Sequence, residues 1–500
     1  MVHRGQESAC PPPPQSSPFP FKKNSASILS STRQLWRDCF PSFTQERVAE
    51  RAQALSLSSL LCLGRHTVTG LLTTCGQEFL DWSADYRLFS HDRLPIGEIF
   101  SVIRRAAVDQ LPPQAPLCVA IDDTLLRKTG IRIPGVAWKR DPLGPHFHTN
   151  FVRAQRFLQL SADVPLPGGD HRMVPISFTH APTPLKPSSK EEKDLSIYRQ
   201  ACRRARLSRR ACEQIVSLRR ALDGDPADNS RQLYVFGDGG YTNSTVLKGL
   251  PANTVLIGRI RKDASLYFLP AETQTPHQRG RPRHYGAPAP TPEQIRTDES
   301  LPWQMMAISI AGVSHPMKVK IYRNLLWRAA GLHHTLQLMV IAPLGYRLRK
   351  NSKLLYRKPA FLICTEPQMD PLALLQGYVR RWDIEVNFRE EKTLLGVGQA
   401  QVRNPESVGS FPAFQVASYA MLLLSLIRTE ADPLPPPKWA ATKTPHRPST
   451  QRAINQLRGE VWSRALGLTN FADLVARTPP ASSPEKFLPH LPSALLYATN

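Results

Sequence analysis

LCVAIDD, residues 117–123, is an apolar run closed by two adjacent acids, and the chain changes character there. Upstream, from about residue 45, apolar residues recur at helix-like spacing. Downstream, FLQLSADV (157–164), YVFGDGG (234–240) and TVLIGRIR (254–261) repeat the short apolar run, separated by helical or loop segments. Runs of this length read as strands, and strands interleaved with helices predict an α/β sheet. Strand ends are where such sheets carry polar chemistry. That directs attention to Asp122, Asp123 and Asp238, although each taken singly would suit a turn or a cap.

Around this centre the chain divides by composition. Residues 1–44 begin Pro- and Ser-rich and read as a disordered tail. Residues 45–113 form a helical N-terminal region of short stretches such as TQERVAERAQALSLSSLLCLG and GRHTVTGLLTTCG, where Thr67 or Thr69 suits a helix cap. A helix-turn-helix and an ordinary helical subdomain both fit that pattern. Residues 114–261 form the first part of the α/β core and include a charged helical insert at 185–223, whose arginines read first as a solvated helix face. Residues 262–369 contain MMAISIAGV, MKVKIYRNLLW, TLQLMVIAPL and AFLICTE and read as a β-rich insertion domain. Within it, RGRPRHYG (279–286) fits a flexible basic loop or a minor-groove hook. Residues 370–428 return to helices, and FPAFQVASYAMLLLSLI (411–427) predicts a buried core helix slightly short for a membrane span. Residues 429–500 read as a Pro-rich linker and a C-terminal helical region.

The 500 residues carry 64 Lys and Arg against 40 Asp and Glu, a formal charge of +24. Such an excess attracts polyanions, nucleic acid first among them. No polybasic segment adjoins a lipid anchor or an interfacial helix, so no membrane partner is expected. Eight scattered cysteines, without a C-x-x-C pair or zinc-finger spacing, read as reduced thiols. With no apolar h-region near the N-terminus, they predict a cytoplasmic protein.

A third acid comes from YVRRWDIEVNFREEK, residues 378–392. At about 100° per residue, Tyr378, Arg381, Glu385 and Lys392 fall at roughly 0°, 300°, 340° and 320° on a helix, one narrow face. Asp383, Glu390 and Glu391 fall elsewhere, at roughly 140°, 120° and 220°. Ile384 and Phe388 supply an apolar flank that could seat the helix on the sheet. Carboxylate oxygens are the hard ligands Mg²⁺ prefers, and a pair of such ions suits displacement at phosphorus. The neighbouring Arg and Lys would hold phosphates, and the Tyr could donate or stack. An amphipathic helix with an Arg381–Glu385 ion pair fits the same spacing.

With these residues in view, the sequence resembles the bacterial insertion-sequence transposases of the DDE superfamily that carry a Tyr-(2)-Arg-(3)-Glu-(6)-Lys signature, and residues 378–392 match it at all four positions. VAIDDTLLRKTG (119–130) is similar to the family's first-acid motif, which points to Asp122, or to Asp123 if the register is one residue off. YVFGDGGYTN (234–243) is similar to the second-acid motif and selects Asp238. The likeness runs over about residues 45–428. It implies an RNase H-like catalytic core interrupted by the β-rich insertion domain, with a helical N-terminal DNA-binding region. It further implies a transposase that binds transposon-end DNA and catalyses metal-dependent strand cleavage and 3′-OH strand transfer. Asp122, Asp238 and Glu385 would hold two Mg²⁺ ions, for which Mn²⁺ would substitute, while Tyr378, Arg381 and Lys392 contact DNA. The implied partners are double-stranded DNA, as terminal inverted repeats and target, and a second copy in a synaptic homodimer, in a bacterial cytoplasm close to the nucleoid. Trp303 and Trp327 lie where the family's insertion domain receives a flipped base, and each also suits a core aromatic. An RNase H-like nuclease or resolvase without strand transfer, or an inactive DNA-binding relic, would carry much of the same pattern.

Overall fold

A computed structural model describes residues 27–462 apart from 142–143, 145–149, 167–168, 189–190, 271–283, 311, 333, 348–351 and 430–446. The Arg-Gly-Arg-Pro stretch, residues 1–26 of the expected tail, most of the Pro-rich linker and residues 463–500 lie outside the described residues.

Helices α1 (Ile28–Cys39), α2 (Glu46–Leu61), α3 (Val68–Thr74), α4 (Ser83–Ser90) and α5 (Ile96–Val108) lead into the sheet. The first of these corrects the expected tail, since residues 28–44 are structured and packed. In α1, Ile28, Leu35, Trp36 and Cys39 fall on one face and are buried. Ser27 Oγ caps the helix by accepting from Ser30 N at 3.1 Å, and Trp36 Nε1 donates to Ser56 Oγ of α2 at 2.8 Å. That apolar face outweighs the Ser-rich neighbourhood. Of the two threonines offered as caps for α3, Thr67 fills the role, accepting from Gly70 N at 3.3 Å.

The strands are β1 (Leu117–Arg127), β2 (Ala137–Arg140), β3 (Phe151–Pro165), β4 (His171–His180), β5 (Leu233–Gly237) and β6 (Thr254–Arg259). β3 runs antiparallel between β1 and β4, and β1, β5 and β6 run parallel, giving the order β4–β3–β1–β5–β6. This mixed α/β arrangement is consistent with an RNase H-like core. Between β4 and β5 lie α6 (Glu192–Arg204) and α7 (Leu207–Asp223), and α8 (Ser244–Leu247) joins β5 to β6.

Residues 262–369, read from the sequence as a β-rich insertion domain, are built mainly of strands. They contribute β7 (Leu266–Phe268), α9 (Pro292–Thr297), β8 (Gln304–Ile310), β9 (Val313–Trp327), β10 (Leu336–Ile341), a small hairpin of β11 (Gly345–Tyr346) and β12 (Leu355–Tyr356), and β13 (Ala360–Cys364). β13 returns antiparallel to β6, so the inserted strands, the β11–β12 hairpin apart, extend the core sheet to eleven strands. The free edge of β6 is thereby paired rather than exposed.

α10 (Pro371–Arg380), α11 (Asp383–Thr393), α12 (Ser407–Thr429) and α13 (Thr450–Trp462) complete the described chain. α10 and α11 cover one face of the sheet: Leu374 and Leu375 pack with Phe236 and Ile257, and Ile384 and Phe388 pack with Ala120 and Met173. The opposite face, with Val119, Ile121 and Val235, joins the main core with α5 and α12. Among the described residues, α12 is the one helix long and apolar enough to cross a membrane, and it is almost wholly buried in the protein.

Candidate active site

Side chains alternate along a strand, and in β1 this separates the two adjacent acids. Asp122 shares the face of Ala120, where α11 packs, and Asp123 shares the face of Ile121. Tyr241 Oη donates to Asp123 Oδ1 at 2.7 Å, and Arg156 Nε lies 3.3 Å from Asp123 Oδ2. Both Asp123 oxygens are thus engaged within the fold. Asp122 instead adjoins Asp238. Ile121 pairs with Gly237 in parallel register, and each Asp is the next residue. Asp238 begins the turn out of β5, its Oδ1 accepting from Gly240 N at 2.8 Å and its carbonyl from Thr242 Oγ1 at 2.9 Å.

The single helix expected over residues 378–392 is broken at Arg381–Trp382, which corrects the face argument in detail. Across the break Trp382 N donates to Val379 O at 3.2 Å, Ile384 N to Arg381 O at 3.1 Å and Glu385 N to Trp382 O at 3.0 Å. These three-residue spacings are one turn of tighter 3₁₀ winding. Arg381 still faces its partners. Its Nη1 is 3.5 Å from Asp122 Oδ2, its Nη2 is 3.8 Å from Glu385 Oε1, and its guanidinium lies 5.5 Å from the Tyr378 ring centre. Arg381 is 8% exposed, and its Nε and Nη1 have no hydrogen-bond partner. Lys392 is not drawn into this group. It is exposed, its charged neighbours are Glu391 and Arg127, and seven residues of helix put it about 10 Å along the axis from Glu385.

Negative charge accumulates here without full compensation. Burial pushes Asp122 up to about 7; the Asp123 N–H and Arg381 oppose the shift, while the Asp238 and Asp123 charges add to it. Burial likewise raises Glu385, with Arg381 opposing and Asp238 adding. The third carboxylate, Asp238, thus acts electrostatically on both of the others.

A family model described as a DDE superfamily endonuclease matches residues 38–330. The chain belongs to that family. The match takes in Asp122 and Asp238 of the endonuclease and ends before Glu385. No curated protein matches. The family implies DNA as the substrate and, in general, divalent metal ions in the reaction.

The donor chemistry of the endonuclease fits such an ion, since carboxylate oxygens with raised proton affinity are hard ligands short of positive charge. Among the described residues, no group of three or more Asp, Glu, His or Cys side chains is already arranged to hold one. Arg381 supplies the counter-charge to Asp122 and Glu385. Sequence reasoning assigned nothing to Tyr241 or Arg156, which fix Asp123. Tyr241 stands three residues after Asp238 in the quoted strand-end motif, but Arg156 reaches Asp123 only through the β1–β3 pairing. Trp303 and Trp327 are partly buried and pack on the core, with Lys320 Nζ 4.7 Å from the Trp303 ring centre.

Proposed function

We propose that this endonuclease is a transposase of the Tyr-Arg-Glu-Lys group, acting on transposon-end DNA by strand cleavage followed by 3′-OH strand transfer. The observation that carries the reading is the juxtaposition of Asp122, midway along β1, with Asp238, just past the end of the adjacent β5, and Arg381 linking Asp122 to Glu385 of the covering helix. Asp122, Asp238 and Glu385 would hold two Mg²⁺ ions, with Mn²⁺ as substitute. When bound, such ions activate an attacking oxygen and stabilise the leaving one at phosphorus. Arg381, packed on Tyr378 beside Asp122 and Glu385, would lend its positive charge to a phosphate bound at those carboxylates, and Lys392 serves the DNA backbone farther along α11. Asp122 is preferred to Asp123 because Tyr241 and Arg156 already hold the latter.

Glu385→Ala is expected to bind transposon-end duplex with wild-type affinity and to lose cleavage in Mg²⁺ and in Mn²⁺, scored by gel shift and nicking assays. Retained cleavage overturns the assignment. Supplying pre-cut ends separates a transposase, which yields joined product, from a nuclease without strand transfer. Recognition of terminal inverted repeats and a synaptic homodimer belong to the same proposal.

A further inference from the structure

α6 is a thirteen-residue helix with no buried residue. A helix of that length is marginal on its own in water, so it gains from a partner. Around the α6–α7 join, RQACRRARLSRR at 199–210 holds six arginines and no acid. Three are engaged within the chain: Arg199 with Glu192, Arg209 with Glu213, and Arg210, which donates to the His180 carbonyl at 3.1 Å. Arg203, Arg204 and Arg206 are exposed and, among the described residues, form no ion pair. Arg204 also lines an open groove with Pro182, Thr183, Arg209 and Arg210.

The topology puts this ridge at the carboxylate edge of the sheet. β4 and β1 are both antiparallel to β3, so they run parallel to each other. His180, at the end of β4, pairs with Phe157, which pairs with Thr124, two residues past Asp122. The loop that lines the groove therefore leaves the sheet level with the part of β1 just past Asp122. Lys139, which donates to Thr183 Oγ1, feels the Asp123 charge.

We infer that Arg203, Arg204 and Arg206 form a second DNA contact, a ridge that grips the phosphate backbone of the duplex flanking the scissile bond. The inference rests on the reading of DNA as substrate. Exposed guanidiniums with no acidic partner suit phosphate oxygens, which position a duplex without reading its sequence. The contact would thus be indifferent to base sequence and sensitive to salt.

The test uses the full chain and measures duplex affinity across a salt series. Each phosphate contact contributes about 0.9 to the slope of log K against log salt. R203Q/R204Q/R206Q is expected to flatten that slope by up to about 2.7, equally for specific and scrambled duplexes. R203K/R204K/R206K keeps the charges and is expected to keep the slope. An unchanged slope in the Gln triple, or an equal loss in the Lys triple, overturns the ridge. None of the three side chains is buried, so a normal circular dichroism spectrum is expected for both variants. A wild-type chain that shows no salt-dependent duplex binding would instead overturn the DNA reading itself, so the two failures are distinguishable.

Discussion

Glu391 shows how much one turn of helix decides. At its different angle on the helix from Glu385 it is 1% exposed, with Oε1 unpartnered. Burial raises it from 4.5 to about 8, so the native state keeps its proton at neutral pH. The folded value lies above the unfolded one, and the native state therefore binds more protons across that interval. The Glu391 contribution to stability is consequently fully present below about pH 4.5, is lost as pH rises through about 8, and is level above that. Glu391→Gln, isosteric with the protonated acid, should remove that slope. Urea unfolding should find the variant more stable than wild type at about pH 9, by at least about 1 kcal/mol, and little different at about pH 5. Equal stability at the higher pH would show that Glu391 is ionised in the fold. At this scale the sequence was informative about residue type: Arg381 lies 3.5 Å from Asp122 and 3.8 Å from Glu385, and Asp238 follows the residue paired with the one before Asp122. The choice between Asp122 and Asp123 was not legible, because it depends on which face of β1 receives α11.

The α10–α11 pair carries the third acid, and its seat depends on one small residue. A Cβ at Gly377 would lie 2.3 Å from Phe236 Cζ and 2.7 Å from its Cε1, so only glycine lets α10 approach β5 this closely. Gly377→Ala should push α10 off the sheet by overpacking, at a cost of about 1–3 kcal/mol. Because Tyr378 and Arg381 follow directly, cleavage should fall more than the loss of folded protein accounts for. Comparing nicking rate per folded molecule with the unfolding midpoint checks this; a proportionate fall would reduce Gly377 to a packing residue. The face shared by Tyr378, Arg381 and Glu385 was legible from spacing. The 3₁₀ break was not, because Arg381 and Trp382 keep right-handed helical angles and no Pro or Gly marks the join. Lys392 illustrates the limit of periodicity, which fixes direction around a helix and leaves distance along it unspecified. α1 had a readable apolar face in Ile28, Leu35, Trp36 and Cys39, masked by the composition around it. The continuity of β13 with β6 was hidden for another reason: strand patterns reveal a buried face, whereas the partner at an edge is set by contacts a hundred residues apart.

Across the whole molecule, the last described residues tie the catalytic layer to the N-terminal helices. Arg447 pairs with Asp383, two residues before Glu385, and donates to the His171 carbonyl at 3.1 Å. Thr450 Oγ1 and Tyr419 Oη both donate to Glu390 Oε2 at 2.6 Å, joining α13 and α12 to α11. Glu460 then accepts from Leu29 N at 2.8 Å and Ile28 N at 3.3 Å, closing the start of α1. α11 is thus held at its first residue by Arg447 and near its last turn by Tyr419 and Thr450, two of these three lying beyond a Pro-rich linker whose sequence suggests only separation. Arg447→Gln removes the counter-charge from Asp383, a half-buried carboxylate, and should cost about 1–3 kcal/mol. Thr450→Val withdraws one of the two hydroxyls from Glu390 and should cost a smaller amount, on the order of 1 kcal/mol. Both variants should lower the melting temperature and slow cleavage while leaving duplex affinity near wild type, since neither residue belongs to the arginine ridge or pairs with Arg381. If cleavage stayed at the wild-type rate while the melting temperature fell, the C-terminal tie would stabilise the fold without holding Glu385 in place.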